Sequence, residues 1–210
     1  MLWLDLGLAL AAFAFALALR PWRVVAQTDP PWPWLAWWAC MPFLWGADRY
    51  ADVPVAQPLS GAVLLMLMAG WPLAVLAMAP VALITVWMAD LSLAEGLHRL
   101  VWVGLVPATL AMALGAGIRK VLPNQLFVYI LGRGFFATAI AGTAAGALSV
   151  ALHGVPPGLQ AEDIVLARFL SAWADAFLAG MVVAIFVAFR PQWLATYADR
   201  VWLIPKDPRP

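Results

Sequence analysis

Apolar runs of membrane-spanning length recur along the whole chain, and polar residues break them at short intervals. With about 20 residues per spanning helix, the pattern predicts helices near 2–19, 32–47, 58–69, 71–89, 97–118, 124–152 and 164–189. The expected fold class is all-α, a polytopic membrane bundle of about seven transmembrane helices. Residues 58–89 are the ambiguous part, too long for one span and too short for two. Their only break is "AGWP" at 69–72, where Pro72 disfavours helix continuation and Gly70 allows a tight reversal. Six spans plus a re-entrant segment is the alternative.

Charge decides between the two. With two crossings in 58–89, Arg20, Arg23, Arg119, Lys120, Arg190, Arg200, Lys206 and Arg209 all fall on one side. The opposite loops then hold Asp48, Asp52, Asp90, Glu95, Glu162 and Asp163, with Arg49, Arg99 and Arg168 as their cations. Cytoplasmic loops collect Lys and Arg, so the N-terminus is expected outside and the C-terminus inside. The first run, "LWLDLGLALAAFAFALAL", lacks the basic residues that precede the core of a signal peptide; Asp5 stands there instead. A retained first span is expected.

Composition agrees. The chain is 65% hydrophobic and 11% charged, outside the soluble globular range, so the lipid bilayer is its expected environment. A net charge of +1 without a basic run argues against nucleic acid as a partner. Cys40 is alone, which excludes an intrachain disulfide. Thirteen Trp, four of them in "PWPWLAWW" at 31–38, suit interfacial anchoring. Two domains of unequal weight are expected: a transmembrane bundle over 1–190 and a cytoplasmic interfacial tail over 191–210. The tail starts at the helix-stopping Arg190–Pro191 and carries Trp193, Tyr197 and Trp202 among charges. Small pairs at four-residue spacing, Ala12/Ala16, Gly142/Gly146 and Ala176/Gly180, would let helices approach closely.

Candidate chemistry is sparse. The chain has no phosphate-binding glycine loop, nucleophile elbow or HExxH, and only two His and one Cys, so neither an enzyme nor a cofactor is expected. His98 and His153 both fall near the outer ends of their helices in this topology, within reach of Glu95 or Glu162, and imidazole suits nickel, cobalt and zinc. They are weak metal candidates; the plainer reading is two interfacial histidines and no metal. Asn124 and Tyr129 are candidate polar-site residues, though Asn124 reads first as an N-cap and Tyr129 equally as an interfacial anchor. Arg133 and Asp175 are intramembrane charges, which by default mark a ligand site or a structural lock. At 1.5 Å per residue they lie roughly 14 Å and 22 Å from the same face. A buried ion pair between them is the expectation, with Arg133 snorkelling to the headgroups as the plainer alternative.

"LPNQLFVYILGRGFFATAIAG" (122–142) and "DAFLAGMVVAIFVAFRPQWLATYAD" (175–199) resemble a family of bacterial membrane proteins, the energy-coupling factor ABC transporter permeases, related to the CbiM/NikM cobalt- and nickel-uptake components. "PLSGAVLLMLMAGWPLAVLAM" (58–78) resembles, more loosely, the family's helix pair. The resemblance implies a multi-pass substrate-capture component of the bacterial inner (cytoplasmic) membrane. Its implied partners are a coupling membrane subunit and ATPase subunits. The metal-binding branch begins Met-His and carries a ligand histidine at the head of its third helix. Here Leu2 and Pro58 stand at those positions, so those ligands are missing. The alternative function is an accessory or assembly subunit of another membrane complex that keeps the fold without transport.

Cysteines introduced at Gln27, Lys120 and Pro208, in a Cys40→Ala background, are expected to resist an impermeant thiol reagent in intact cells. Labelling at both Lys120 and Pro208, with Gln27 still protected, would mean that 58–89 crosses once.

Overall fold

The computed structural model describes residues 1–22, 32–51, 55–155 and 158–197. Within them the chain is all-helical, with seven principal helices. These are α1 (Leu2–Ala18), α2 (Pro33–Gly46), α3 (Ala62–Ala69), α4 (Trp71–Met88), α5 (Leu93–Val121), α6 (Val128–His153) and α7 (Ala161–Phe189). The last four are long and apolar enough to cross a membrane. Both α5 and α6 contain π-helical turns, at Leu100–Leu105 and Val128–Phe136.

Local chemistry sets most of the boundaries. Ser92 and Glu95 form a reciprocal capping box that starts α5 at Leu93, four residues before the expected start at 97. Pro33 and Pro72 occupy the first turns of α2 and α4, where a missing N–H costs nothing. Gly70 joins α3 to α4 at φ +79°, a conformation open to glycine.

Side-chain contacts fix the direction of each helix. Asp5 meets His98 and His153, which brings the starts of α1 and α5 and the end of α6 to one end of the bundle. The end of α2 joins them through Arg99–Asp48, and the end of α4 through Tyr50 Oη donating to the Met88 carbonyl. At the other end, Tyr129 near the start of α6 meets Thr196 just beyond α7. Because α2 and α4 finish at the same end, the chain between them must return through the bundle. A non-helical stretch at 56–61 and the short α3 make that return.

All eight residues of α3 are buried. At 1.5 Å per residue the helix is about 12 Å long, so both of its ends lie inside protein. The backbone groups there need internal partners. On the N-terminal side, the Asp175 carboxylate accepts from the Ser60 N–H at 2.6 Å and the Gly61 N–H at 3.3 Å. The carbonyls of Pro58, Ser60 and Gly61 accept from Ser171, Trp45 and Trp37. On the C-terminal side, the Leu67 and Met68 carbonyls accept from the backbone N–H groups of Thr196 and Ala195.

These contacts correct two expectations. Residues 191–197 do not stand apart from the bundle as an interfacial tail: Leu194 and Tyr197 are buried, and Trp193 packs on Phe186. Trp202 and the remainder to 210 lie outside the described residues. Arg133 and Asp175, each only 7% exposed, are buried as expected but do not form the ion pair. Asp175 serves the start of α3. Arg133 reaches the Thr196 carbonyl at 3.4 Å, beside the end of α3, and lies 5.6 Å from the Tyr129 ring centroid. About one α3 length therefore separates the two charges along the bundle. They also face different helices: a Cβ at Gly115 of α5 would sit 2.7 Å from the Arg133 Nε, whereas the adjacent Gly134 faces Val183 of α7.

The glycines of α6 allow close packing on α7, where Gly142 meets Ala172 and Gly146 meets Arg168. Outward, α7 presents Phe169, Phe177, Met181 and Ile185, while alanine, glycine and valine fill its inner face. That pattern, large apolar residues outside and small ones inside, fits lipid as the solvent.

Asp175→Ala would leave two buried backbone donors without an acceptor, at an expected cost on the order of 2–4 kcal/mol. Thermal unfolding in detergent should show that loss, and the swap Arg133→Asp with Asp175→Arg should recover none of it. A variant as stable as the parent would remove Asp175 from its capping role.

Candidate metal centre

Asp5 sits in the first turn of α1 and is 3% exposed. Donors from two other helices surround its carboxylate. Trp102 Nε1 donates to Oδ1 at 2.8 Å. His98 Nδ1 lies 3.4 Å from Oδ2, and His153 Nε2 lies 3.2 Å from Oδ1. The two imidazoles meet edge to face with centroids 4.6 Å apart, and the Trp102 ring stands 5.5 Å from His153. One ligand atom from each of Asp5, His98 and His153 lies within 4.8 Å of the others.

Local sequence delivers these side chains. The Ser92–Glu95 box starts α5 early enough to place His98 inside the helix. His98 and Trp102, four residues apart, then both face α1. His153 is the last residue of α6 before Gly154 at φ +79°, a common way to end a helix.

The cluster has part of a second coordination shell. The free ring nitrogen of His98, Nε2, pairs with Ser149 Oγ at 3.2 Å, which orients the ring as a ligand. Trp102 holds the carboxylate. His153 is different: both of its ring nitrogens are enclosed, Nε2 stands 3.2 Å from the Asp5 carboxylate without hydrogen-bond geometry, and Nδ1 has no hydrogen-bond partner among the described residues. Enclosed polar atoms are ordinarily satisfied, so this imidazole is short of a partner. Two imidazoles and a carboxylate at this spacing suit zinc, cobalt or nickel, whose bonds to such atoms run about 2.0–2.2 Å.

The three side chains form part of the wall of a cavity of about 450 Å³, together with Gln57, Pro58 and Arg168. Arg99 pairs with both Asp48 oxygens at 2.6 and 2.7 Å and also donates to the Trp45 carbonyl, and Arg49 pairs with Glu95 at 2.5 Å. These pairs tie the turn at Ala47–Tyr50 to the start of α5 at the rim. Arg168 has no ion pair among the described residues, and its Nε is enclosed without a partner.

Of the residues singled out from sequence, His98 and His153 converge, but on Asp5 rather than on Glu95 or Glu162. Glu95 caps α5 and pairs with Arg49. Asn124 precedes α6 without capping it. Tyr129 neither anchors at an interface nor faces the cavity; it is fully buried, with its hydroxyl 2.8 Å from Thr196 Oγ1 and its ring against Tyr197. The pockets beside Asp175 measure about 10 and 40 Å³, room for a water or two. Asp5, Trp102 and Arg168 are the functional candidates that sequence reasoning passed over. The signal was present for Asp5, a lone carboxylate in an apolar run, the same feature that singled out Asp175.

Comparison of the chain with family models, with curated proteins and with solved structures finds no match.

Proposed function

We propose that the chain is the substrate-capture component of a membrane transporter for divalent transition-metal ions, working with a coupling membrane subunit and ATPase subunits. The observation that carries this reading is the convergence of Asp5, His98 and His153 on the wall of a 450 Å³ cavity. The resemblance to energy-coupling factor permeases supplies the partners and a bacterial inner-membrane setting. The metal-binding branch's ligand positions are occupied here by Leu2 and Pro58, and both residues line this same cavity. In our reading a different donor set, drawn from α1, α5 and α6, has taken over within the old chamber.

The cavity end faces outward in this proposal, as the distribution of Lys and Arg implies. The chain then crosses seven times, with residues 56–69 making the third crossing. An ion arriving from outside exchanges part of its water shell for one carboxylate and two imidazoles. Trp102 and Ser149 hold two of those ligands in place, so little reorganisation is needed on binding.

Chelator-stripped protein in detergent, incubated with cobalt or nickel and desalted, is expected to retain one ion per chain by elemental analysis. Asp5→Ala and the double variant His98→Ala/His153→Ala should retain less than about a tenth of that. Trp102→Phe should bind about ten-fold more weakly. A parent chain that retains no metal, or a double variant that retains as much as the parent, would overturn the reading.

A further inference from the structure

The metal cluster accounts for one part of the cavity wall; Arg168 is unaccounted for. It projects from the second turn of α7, half-buried with its Nε enclosed, over a glycine: a Cβ at Gly146 would lie 3.0 Å from the Arg168 Cβ. A cation held inside a membrane protein ordinarily has a partner or a function. The carboxylates nearby among the described residues are already committed: Asp5 holds Trp102 and the two histidines. Asp48 holds Arg99, Glu95 holds Arg49, and Asp175 holds the start of α3. We infer that the cavity receives its metal as an anionic chelate, in which a small di- or tricarboxylate rides on the ion and places one carboxylate on Arg168. This inference rests on the metal reading above.

Charge, coordination number and volume all lead to the same ligand. The Arg99–Asp48 and Arg49–Glu95 pairs cancel, and imidazoles that bind metal are neutral. A divalent ion on Asp5 therefore carries one uncompensated positive charge, and Arg168 adds a second. Two excess positive charges in a partly buried chamber are costly unless counter-charge enters with the metal. A ligand with two or more carboxylates supplies it. Three protein donors leave about one open position on a tetrahedral ion and three on an octahedral one, where a chelating carboxylate can bind. A cavity of about 450 Å³ holds ~15 waters' worth of volume, far more than a three-water remnant of the hydration shell needs. The guanidinium fork matches a carboxylate through two parallel hydrogen bonds and offers nothing to a bare cation.

Nickel with radiolabelled citrate is the probe. The purified parent, incubated with both and desalted, is expected to retain nickel and citrate in equal amounts. Citrate without nickel should not be retained. Arg168→Gln should keep nickel at the parent level, which also shows that it is folded, while retained citrate falls at least ten-fold. Nickel retained with no citrate bound, when the parent has been offered both, would overturn the chelate and leave the metal site standing. Citrate retained by Arg168→Gln as by the parent would remove Arg168 from the site. A parent that retains neither would overturn the metal reading and the chelate with it.

Discussion

A helix too short to reach either surface has to find every partner for its exposed backbone inside the protein, and α3 imposes that condition on this fold. Asp175 from α7 accepts from the Ser60 and Gly61 N–H groups just ahead of it, the Ser60 hydroxyl accepts from Ala62 N–H, and the segment after α7 answers its last carbonyls. The signs of the charges match the helix dipole, with a carboxylate at the positive end and Arg133, acting through Thr196, at the negative end. Two tryptophan N–H groups and the Ser171 hydroxyl satisfy carbonyls of the approach at 58–61, and the Ser60 hydroxyl donates to the Val103 carbonyl. Much of the buried polar chemistry in the bundle is thus committed to one eight-residue helix.

That commitment shapes the site. The approach to α3 carries Gln57 and Pro58 into the cavity wall, and its backbone is held by Trp37, Trp45, Ser171 and Asp175. Opposite it, Asp5, His98 and His153 come from three helices whose ends meet at the same level. The cavity therefore has a fixed wall, built from the α3 entry, and a polar wall whose histidine at the end of α6 still lacks a hydrogen-bond partner among the described residues. A rigid scaffold with one unsatisfied donor set is the arrangement expected of a binding site.

Helix number was legible because apolar run length and the "AGWP" break report directly on where helices start and stop. The start of α5 was missed by four residues because hydropathy was weighed above the Ser92–Glu95 capping box. The partners of the buried charges were not legible. Sequence spacing gives the depth of Arg133 and Asp175 along their helices but not the direction each side chain faces, and the π-helical turn at Val128–Phe136 shifts that direction further. His98 and His153 could be placed at one end of the bundle from the chain alone. Their convergence on Asp5 depends on how α1 packs against α5, which no local pattern encodes.

The most direct test of the metal-capture account is X-ray absorption at the nickel edge of protein loaded with one ion per chain. The account predicts a first shell of nitrogen and oxygen near 2.0–2.1 Å, with outer-shell scattering from two imidazoles. That scattering should disappear in His98→Ala/His153→Ala. A spectrum without imidazole scattering in the parent, or one unchanged in the double variant, would contradict it.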